Sequence, residues 1–299
     1  MTGESITAGV LGRLGDLGGD YRDPVAAIDW QALEPERPWL PYRLLSTHGL
    51  PEADALTAET LNRLGRMEFA RLCAAGMWLE GLLISRVTAG GFLGLRPDEA
   101  RVMLQEVREE TGHSLMFLEM IERAGAAGVR LLGPTALLSW VARRLDPQGP
   151  EFWAMVFVGE TVTDTYALKA LKADREDGGQ LCPVARQVLD LHHRDEARHI
   201  AAARVFLANR LRRMTPLRRA AFGATLRFLL ARFLEATLYP TAAGLAAAGL
   251  PDAPALARRI RACPVRRALA ADCARPALDL LARDGVLAAR PSDLGEARP

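Results

Sequence analysis

Three of the chain's five histidines lie in one ten-residue stretch, LHHRDEARHI, which spans residues 191–200. Since each residue of an α-helix advances by about 100°, Glu196 lies about 40° to one side of His192 and His199 about 20° to the other. The three side chains therefore share one helix face, whereas His193 points elsewhere. Such a face packs poorly into a core unless its polar groups have partners, and a metal ion is one such partner. We interpret the row as metal ligands, with an exposed polar face as the alternative.

The Glu-x-x-His spacing occurs a second time, at Glu110 and His113 in the stretch LQEVREETGHSLMF. Two such pairs on two helices are the half-sites of a carboxylate-bridged dimetal centre in a four-helix bundle, which takes one more glutamate from each of the other helices. Glu80 and Glu160 fit this requirement, since each stands in a hydrophobic stretch where an unpaired carboxylate is costly. Glu80 precedes Glu110 by 30 residues and Glu160 precedes Glu196 by 36, as expected for antiparallel helices joined by a loop.

The complete set of candidate ligands contains four carboxylates and three imidazoles: Glu80, Glu110, His113, Glu160, His192, Glu196 and His199. Ligands of this kind suit iron or manganese, whereas a structural zinc site more often uses cysteine. We therefore predict a catalytic dimetal site, and a purely structural metal site is the alternative.

Other acidic residues on the same segments have different predicted roles. Glu109 and Asp195 each directly precede a ligand glutamate, so each can accept the distal N–H of a histidine on the neighbouring helix. Glu106 lies one turn before a ligand glutamate and is either a supporting group or a surface residue. Glu68 stands between two arginines and is expected to form exposed ion pairs, whereas Glu235 is expected to be buried and hydrogen-bonded.

Helical periodicity covers almost all of the chain after residue 56, and little of it has the alternating, β-branched pattern of strands. Many segment ends carry proline or glycine, the usual punctuation of helices. Long helical segments are predicted at 57–90, 97–125, 134–146, 150–176, 183–213 and 216–249. The predicted fold class is all-α, a four-helix bundle with additional flanking helices.

The predicted domain organisation has three parts. Residues 1–55 are rich in glycine and proline and are expected to form an irregular N-terminal arm. Residues 56–250 are expected to form the helical bundle that holds the metal centre. Residues 251–299 are expected to form short helices and a tail packed on the same domain.

Composition limits the classes of function. With 299 residues, 49% of them hydrophobic, the chain can bury a substantial core, and its net charge of +2 gives no reason to expect a nucleic-acid or membrane partner. We find no apolar run of the roughly 18 residues that a membrane span needs and no signal-peptide pattern at the N-terminus. The four cysteines lack C-x-x-C spacing, which is typical of reduced thiols. We therefore expect a cytoplasmic protein.

The candidate ligands resemble the metal site of the p-aminobenzoate N-oxygenase (AurF-type) family of ferritin-like non-haem diiron oxygenases, in the pattern Glu80, Glu110-x-x-His113, Glu160, His192-x-x-x-Glu196-x-x-His199. The resemblance covers residues 60–210, and in that family an extra histidine precedes the last Glu-x-x-His by one turn, as His192 does. It implies a ferritin-like bundle that binds two iron ions, uses O₂ as cosubstrate and N-oxygenates a small-molecule amine, typically an arylamine, in a biosynthetic pathway. It also implies a homodimer, and electrons must come from an external donor or reductase because the sequence has no flavin or nicotinamide motif.

Other functions use similar ligands. An iron-storage or ferroxidase protein shares the half-sites but lacks the extra histidine, and a manganese catalase needs no organic pocket. A ribonucleotide reductase small subunit, which Tyr166 suggests, usually has an aspartate where Glu80 stands. A diiron hydroxylase acting on carbon is the strongest alternative, because it differs in its pocket and not in its ligands. The pocket walls are expected on the ligand helices, near Met77, Trp78, Met116, Phe157, Tyr166 and Phe206.

Overall fold

The computed structural model of the chain describes residues 3–92 and 95–287. Within these ranges it contains helices joined by turns and no β-strand, which confirms the all-α prediction. The α-helices are α1 (Gly3–Leu17), α2 (Pro24–Ala27), α3 (Ala58–Arg86), α4 (Pro97–Arg123), α5 (Ala136–Ala142), α6 (Pro150–Glu176), α7 (Pro183–Leu211), α8 (Pro216–Leu238), α9 (Ala242–Ala247), α10 (Ala253–Ala262) and α11 (Pro264–Arg283). Short 3₁₀ turns lie before α3 and a π-helical turn follows it: Trp30–Ala32, Tyr42–Leu44, Pro51–Ala55 and Val87–Gly91.

Helices α3, α4, α6 and α7 form the predicted four-helix bundle. α3 and α4 are antiparallel neighbours. Ser114 on α4 contacts Glu80 on α3. Phe117, about one turn later on α4, occupies the space that a side chain at Gly76, one turn earlier on α3, would fill. The absence of a side chain at Gly76 therefore lets the two helices approach closely at the level of the candidate ligands.

Helix α4 is also antiparallel to α7, since His113 contacts Asp195 whereas Glu106, two turns earlier, contacts Arg198. α6 and α7 are antiparallel as well. α4 and α6 must therefore run in the same direction, so the connection between them, residues 124–149, returns along the bundle. A long crossover of this kind is found in ferritin-like folds, and here it contains α5.

Many helices begin at the proline and capping residues that mark helix starts in the sequence. Proline occupies the first turn of α4, α6, α7 and α8, where its missing N–H costs no hydrogen bond. Thr57 caps α3 by accepting a hydrogen bond from the Thr60 backbone N–H. The prediction of one helix over residues 216–249 is wrong, since the segment forms two helices, α8 and α9. Pro240 lies between them and cannot continue a helix.

The N-terminal region differs from the irregular arm predicted for residues 1–55. Residues Gly3–Leu17 form α1, which packs on α4 and α7. Glycines weaken the intrinsic helix propensity of this segment, but Leu11 and Leu14 are buried, so tertiary packing compensates for weak propensity. Residues 18–55 contain only short helical turns and loops.

The C-terminal part contains α10 and the longer α11, which has 20 residues and packs along α6. The prediction of short helices is therefore wrong for α11. The predicted tail lies outside the described residues, and the three-part division into domains stays a prediction.

One helical segment of the described chain, Ala58–Gly90, is long and apolar enough to cross a membrane by the criteria of length and composition. This is weak evidence for a span, because the core helix of a bundle meets the same criteria. The segment contains the buried carboxylate of Glu80 and packs along α4.

We expect Gly112→Ala to destabilise the fold. Gly112 on α4 lies under the segment that follows α1, and a Cβ there would lie 2.6 Å from the Tyr21 hydroxyl and 2.8 Å from Pro24 Cδ. Relieving such an overlap typically costs about 1–3 kcal/mol, which chemical denaturation can measure. Gly81→Ala is the matched control, since its Cβ would have no heavy atom within 4 Å and should be neutral or stabilising. Equal stability of the Gly112 variant and the wild type would contradict this close approach.

Candidate metal centre

All seven candidate ligands are buried inside the bundle. α4 and α7 carry the two Glu-x-x-His pairs, and α3 and α6 carry the single glutamates. Ligand atoms lie within 4.8 Å of one another in two compact groups, one formed by Glu110, His113, Glu196 and His199 and the other by Glu80, His113 and His192. Glu160 belongs to neither group but lies beside Glu196. The structure thus brings the seven residues into one cluster, with Glu160 at its α6 side.

The carboxylate of Glu196 lies among the three imidazoles. Its Oε1 is 3.0 Å from His192 Nε2, 3.4 Å from His199 Nδ1 and 3.8 Å from His113 Nδ1. His192 and His199 flank Glu196 on α7, whereas His113 comes from α4. One oxygen that faces nitrogen donors from two helices is suited to a carboxylate shared by two metal ions.

Several atoms of this cluster are buried without a hydrogen-bond partner among the described residues. They are Glu80 Oε1, Glu110 Oε1, both carboxylate oxygens of Glu196, and His199 Nδ1. Buried polar groups are normally paired, because an unpaired one costs about 1–3 kcal/mol and a charged one costs more. The negative charge of four buried glutamates can be balanced by two divalent cations. The oxygen and imidazole donors suit iron or manganese, so the residues fit a dimetal centre.

The outer nitrogens of two histidines face carboxylates across the bundle, as the sequence predicts for Glu109 and Asp195. His199 Nε2 is 3.0 Å from Glu109 Oε2, and His113 Nε2 is 3.1 Å from Asp195 Oδ2. Donation from each Nε2–H fixes the tautomer and leaves the Nδ1 lone pair directed at the centre. These two predictions of hydrogen bonds are confirmed.

Arg198 joins the outer carboxylates into one network. It donates to Glu106 Oε1 at 2.8 Å and also contacts Glu109, which Arg108 approaches to 3.4 Å from another direction. Glu106 is buried, so the surface role left open by the sequence does not apply. Arg108 also donates to the carbonyl oxygen of Gly18, which links this network to the end of α1. The N-terminal segment therefore covers this side of the centre.

Sequence reasoning missed two of these supporting residues, Arg198 and Ser114. Ser114 Oγ donates to Glu80 Oε2 at 2.5 Å, a contact that only the pairing of α3 with α4 creates. Arg198 had no clear signal either, since it lies about 100° from His199 around the helix and only the packing of α7 on α4 brings it to Glu106. His193 turns away from the cluster, as predicted, and pairs with Asp164 at 2.5 Å.

The predictions for two acidic residues outside the cluster are wrong. Glu68 is buried, accepts a hydrogen bond from the Ser46 backbone N–H at 3.0 Å and lies 3.7 Å from Arg71. Glu235 is partly exposed and pairs with Arg232 at 3.0 Å. The residues around Glu68 and Glu235 in the sequence do not show which faces of their helices are covered by the N-terminal segment and by the C-terminal helices.

Burial and the crowding of carboxylates shift several pKa values in the protein without metal. Burial, together with neighbouring carboxylates, raises the pKa of Glu80 and of Glu160 well above the usual range. Burial acts in the same direction on Glu196, but the imidazoles around it outweigh this and hold its pKa well below the usual range. Burial acts to lower the pKa of His113, but hydrogen bonds, the first of them to Asp195, raise it to about 10. The cluster therefore retains protons at neutral pH until a cation replaces them.

An apolar pocket reaches the cluster from the side opposite the outer carboxylates. It lies between α3, α5, α6 and α8, and the side chain of Glu160 forms part of its lining. Of the residues predicted as pocket walls, Trp78 alone lines it. The others pack in or against the core: Met77, Met116, Phe157, Tyr166 and Phe206. The prediction was wrong for these residues because α5 and α8, which carry no ligands, supply much of the wall.

Two Glu-x-x-His helices and two single-glutamate helices that meet in one bundle define a ferritin-like protein of the dimetal-carboxylate class. Comparison with protein families narrows the class, since the family described as p-aminobenzoate N-oxygenase AurF matches residues 18–285, most of the chain. The chain belongs to this family. The resemblance inferred from the seven ligand positions is thereby confirmed.

Three curated mycobacterial proteins are similar to the chain: one from Mycobacterium bovis and two from strains of Mycobacterium tuberculosis. Each is 29% identical over 210 residues, a match that covers 66% of this chain and 59% of the relative. The chain thus spans less than two thirds of the length of these relatives. All three are uncharacterised proteins, so they identify no substrate.

We expect Glu196→Ala to abolish metal binding, because it removes the oxygen that faces all three imidazoles. Metal counting after anaerobic reconstitution with Fe(II) measures the loss. Glu235→Ala is the matched control, since it removes a partly exposed glutamate of the same domain and should retain the wild-type metal content. A Glu196 variant that folds and binds as much metal as the wild type would contradict the assignment.

Metal binding is expected to release protons and to strengthen as the pH rises. The raised pKa of His113, about 10, means that its ring holds a proton at pH 7, and the raised pKa values of Glu80 and Glu160 keep their carboxyl groups protonated to a higher pH than usual. An incoming cation must displace these protons. Affinity should therefore fall on acidification and rise as the pH approaches the His113 pKa of about 10. Anaerobic calorimetric titration with Fe(II), in two buffers of different ionisation enthalpy, counts the released protons. Binding at pH 7 with no proton release would disagree with these shifts.

Proposed function

We propose that the protein is a non-haem diiron oxygenase that activates O₂ and N-oxygenates an arylamine as a step of a biosynthetic pathway. The observation that supports the proposal most directly is the cluster of buried, unpaired ligand atoms around Glu196 Oε1, which three imidazoles face. Membership in a family described as an N-oxygenase supports the reaction type.

The residues of the chain have separate tasks in this proposal. Two bound iron ions would supply the reduction of O₂. The residues that would hold them are Glu80, Glu110, His113, Glu160, His192, Glu196 and His199. Glu109 and Asp195 keep two of the imidazole rings in one tautomer and one orientation. The apolar pocket excludes water beside Glu160, so that a substrate nitrogen can lie close to the centre.

A diiron hydroxylase acting on carbon is the second candidate, because the lining of the pocket is equally compatible with it. A wall made largely of hydrocarbon accepts an aliphatic substrate as readily as an arylamine. The two reactions leave different products, a new N–O bond in one case and a new C–O bond in the other. Mass spectrometry of the products therefore separates them.

Partners and location belong to the same proposal. Electrons would come from an external donor or reductase, and the active form would be a homodimer in the cytoplasm. Cys73, Cys182, Cys263 and Cys273 are all free and buried, which agrees with a reducing compartment. Light scattering of the purified protein tests the homodimer.

The test of the proposed function is anaerobic reconstitution with Fe(II), followed by metal counting and rapid mixing with O₂ in the presence and absence of an arylamine. We expect two irons per chain, an optical transient that decays faster with the amine, and an N-oxygenated product. A transient indifferent to amines, with hydroxylation of a carbon substrate, would instead support the second candidate. Steady iron uptake far beyond two per chain would contradict both.

We expect His192→Ala to retain the fold and part of the metal but to lose oxygenase activity. His192 Nε2 lies 3.0 Å from Glu196 Oε1 and 3.9 Å from Glu80 Oε1, so its loss removes one nitrogen donor but leaves both Glu-x-x-His pairs. Metal content and product yield are measured together. His193→Ala is the matched control, because the adjacent ring faces Asp164. Full activity of the His192 variant would rule out the three-histidine assignment.

A further inference from the structure

We infer that the pocket beside Glu160 selects an arylamine whose ring carries no anionic group. The inference rests on the proposed function and specifies its substrate class.

The walls of the pocket provide no partner for an anion. Among the described residues that line it, Glu160 is the only one with an ionisable side chain. The indole Nε1–H of Trp78 is already donated to Ser139 Oγ at 2.9 Å. The other lining residues are leucine, valine, alanine, phenylalanine, methionine and one glycine. A carboxylate or sulfonate on the substrate would therefore be buried without a cation or a free donor.

Two arginines near the pocket donate to backbone carbonyls. Arg86 donates its Nε–H to the carbonyl oxygen of Leu145, a lining residue, at 2.9 Å, and Arg210 donates to the carbonyl oxygen of Gln148 at 3.1 Å. Neither guanidinium is part of the lining. Both satisfy backbone carbonyls around the pocket and place no positive charge in its lining.

The pocket is elongated along α6 and its cavity is small, about 50 Å³, so a substrate ring enters only if the lining side chains move apart. Its lining follows α6 from Phe152 to Glu160, two turns of helix or about 12 Å at 1.5 Å per residue. Trp78 and Phe233 stack at 6.2 Å between ring centroids and form an aromatic part of the wall. An arene packs well against such a surface, with a short substituent along the hydrocarbon wall.

The position of Glu160 orients the substrate. Glu160 is both a pocket residue and a candidate ligand, so the end of the pocket that it occupies is the end next to the cluster. The amine must lie at this end to react, which places any ring substituent toward Phe152. An arylamine is uncharged at neutral pH and keeps its nitrogen lone pair, whereas an alkylammonium ion would have to lose its hydration. An anionic substituent would lose its hydration in the same way and would gain no partner.

The test compares 4-isopropylaniline with 4-aminobenzoate, which have similar shapes and the same amine but differ by one negative charge. Binding to wild-type protein loaded with Zn(II), which supports no redox turnover, is measured by calorimetry. We expect 4-aminobenzoate to bind about a hundredfold more weakly, because its carboxylate must be protonated or buried unpaired. Methyl 4-aminobenzoate, the neutral ester, should bind nearly as well as the isopropyl compound. Equal or tighter binding of 4-aminobenzoate would overturn the inference.

A charge introduced into the wall tests the cause of the selectivity. Met155 lines the pocket and is only half-buried, so Met155→Arg can place a cation there, and Met155→Leu is its matched control. We expect the arginine variant to improve the relative binding of 4-aminobenzoate by at least about tenfold, since its carboxylate gains a partner. The leucine variant should keep the wild-type preference. Unchanged preference in an arginine variant with a wild-type circular dichroism spectrum would contradict the inference.

Metal counting on the same samples separates this inference from the proposed function. If the chain takes up no metal, the diiron proposal fails, and preference for the uncharged amine still supports the assignment of the pocket. If the chain binds two metal ions and prefers 4-aminobenzoate, only the inference about the substrate fails.

Discussion

The rest of the structure depends on one crowded contact, the oxygen of Glu196 that faces the imidazoles of His192, His199 and His113. Side chains of two helices must meet there while several of their atoms find no hydrogen bond among residues 3–92 and 95–287. A rotation of either helix by one residue would turn its ligands away by about 100°. Packing that fixes helix rotation, such as the close approach of Phe117 to Gly76, is therefore as necessary to the site as the ligands.

The surroundings of this contact are different on its two sides. Toward α1, the centre is enclosed by charged groups, in which Arg198 neutralises Glu106 and Glu109 and the N-terminal segment covers the network. Toward α5 and α8, it is enclosed by hydrocarbon, interrupted by Glu160. The polar side holds imidazole rings in position, and the apolar side leaves room for an organic molecule. This division lets one small bundle combine a charged metal site with a dry pocket.

The bundle and the convergence of the candidate ligands could be predicted from the sequence, because two Glu-x-x-His spacings and two isolated glutamates fix helix faces by local geometry. Features that depend on packing between distant segments could not be predicted. α1 is rich in glycine and depends on tertiary packing, including the burial of Leu11 and Leu14. The pocket walls were misplaced because α5 and α8 have no chemical signature, and Glu68 was placed at the surface although the N-terminal segment buries it.

The outer hydrogen bonds are reciprocal: Glu109 of α4 supports His199 of α7, and Asp195 of α7 supports His113 of α4. At a twofold axis every contact occurs twice, because residue i of one subunit contacts residue j of the other and residue j contacts residue i. The two helical hairpins therefore relate to each other as the subunits of a symmetric dimer do, although they belong to one chain. Such pseudosymmetry is what duplication and fusion of an ancestral hairpin would leave. Among the candidate ligands, one position departs from this pseudosymmetry: it is occupied by Glu106 in the first half and by His192 in the second. Within one chain the two halves need not be identical, and His192 marks where their candidate ligands differ.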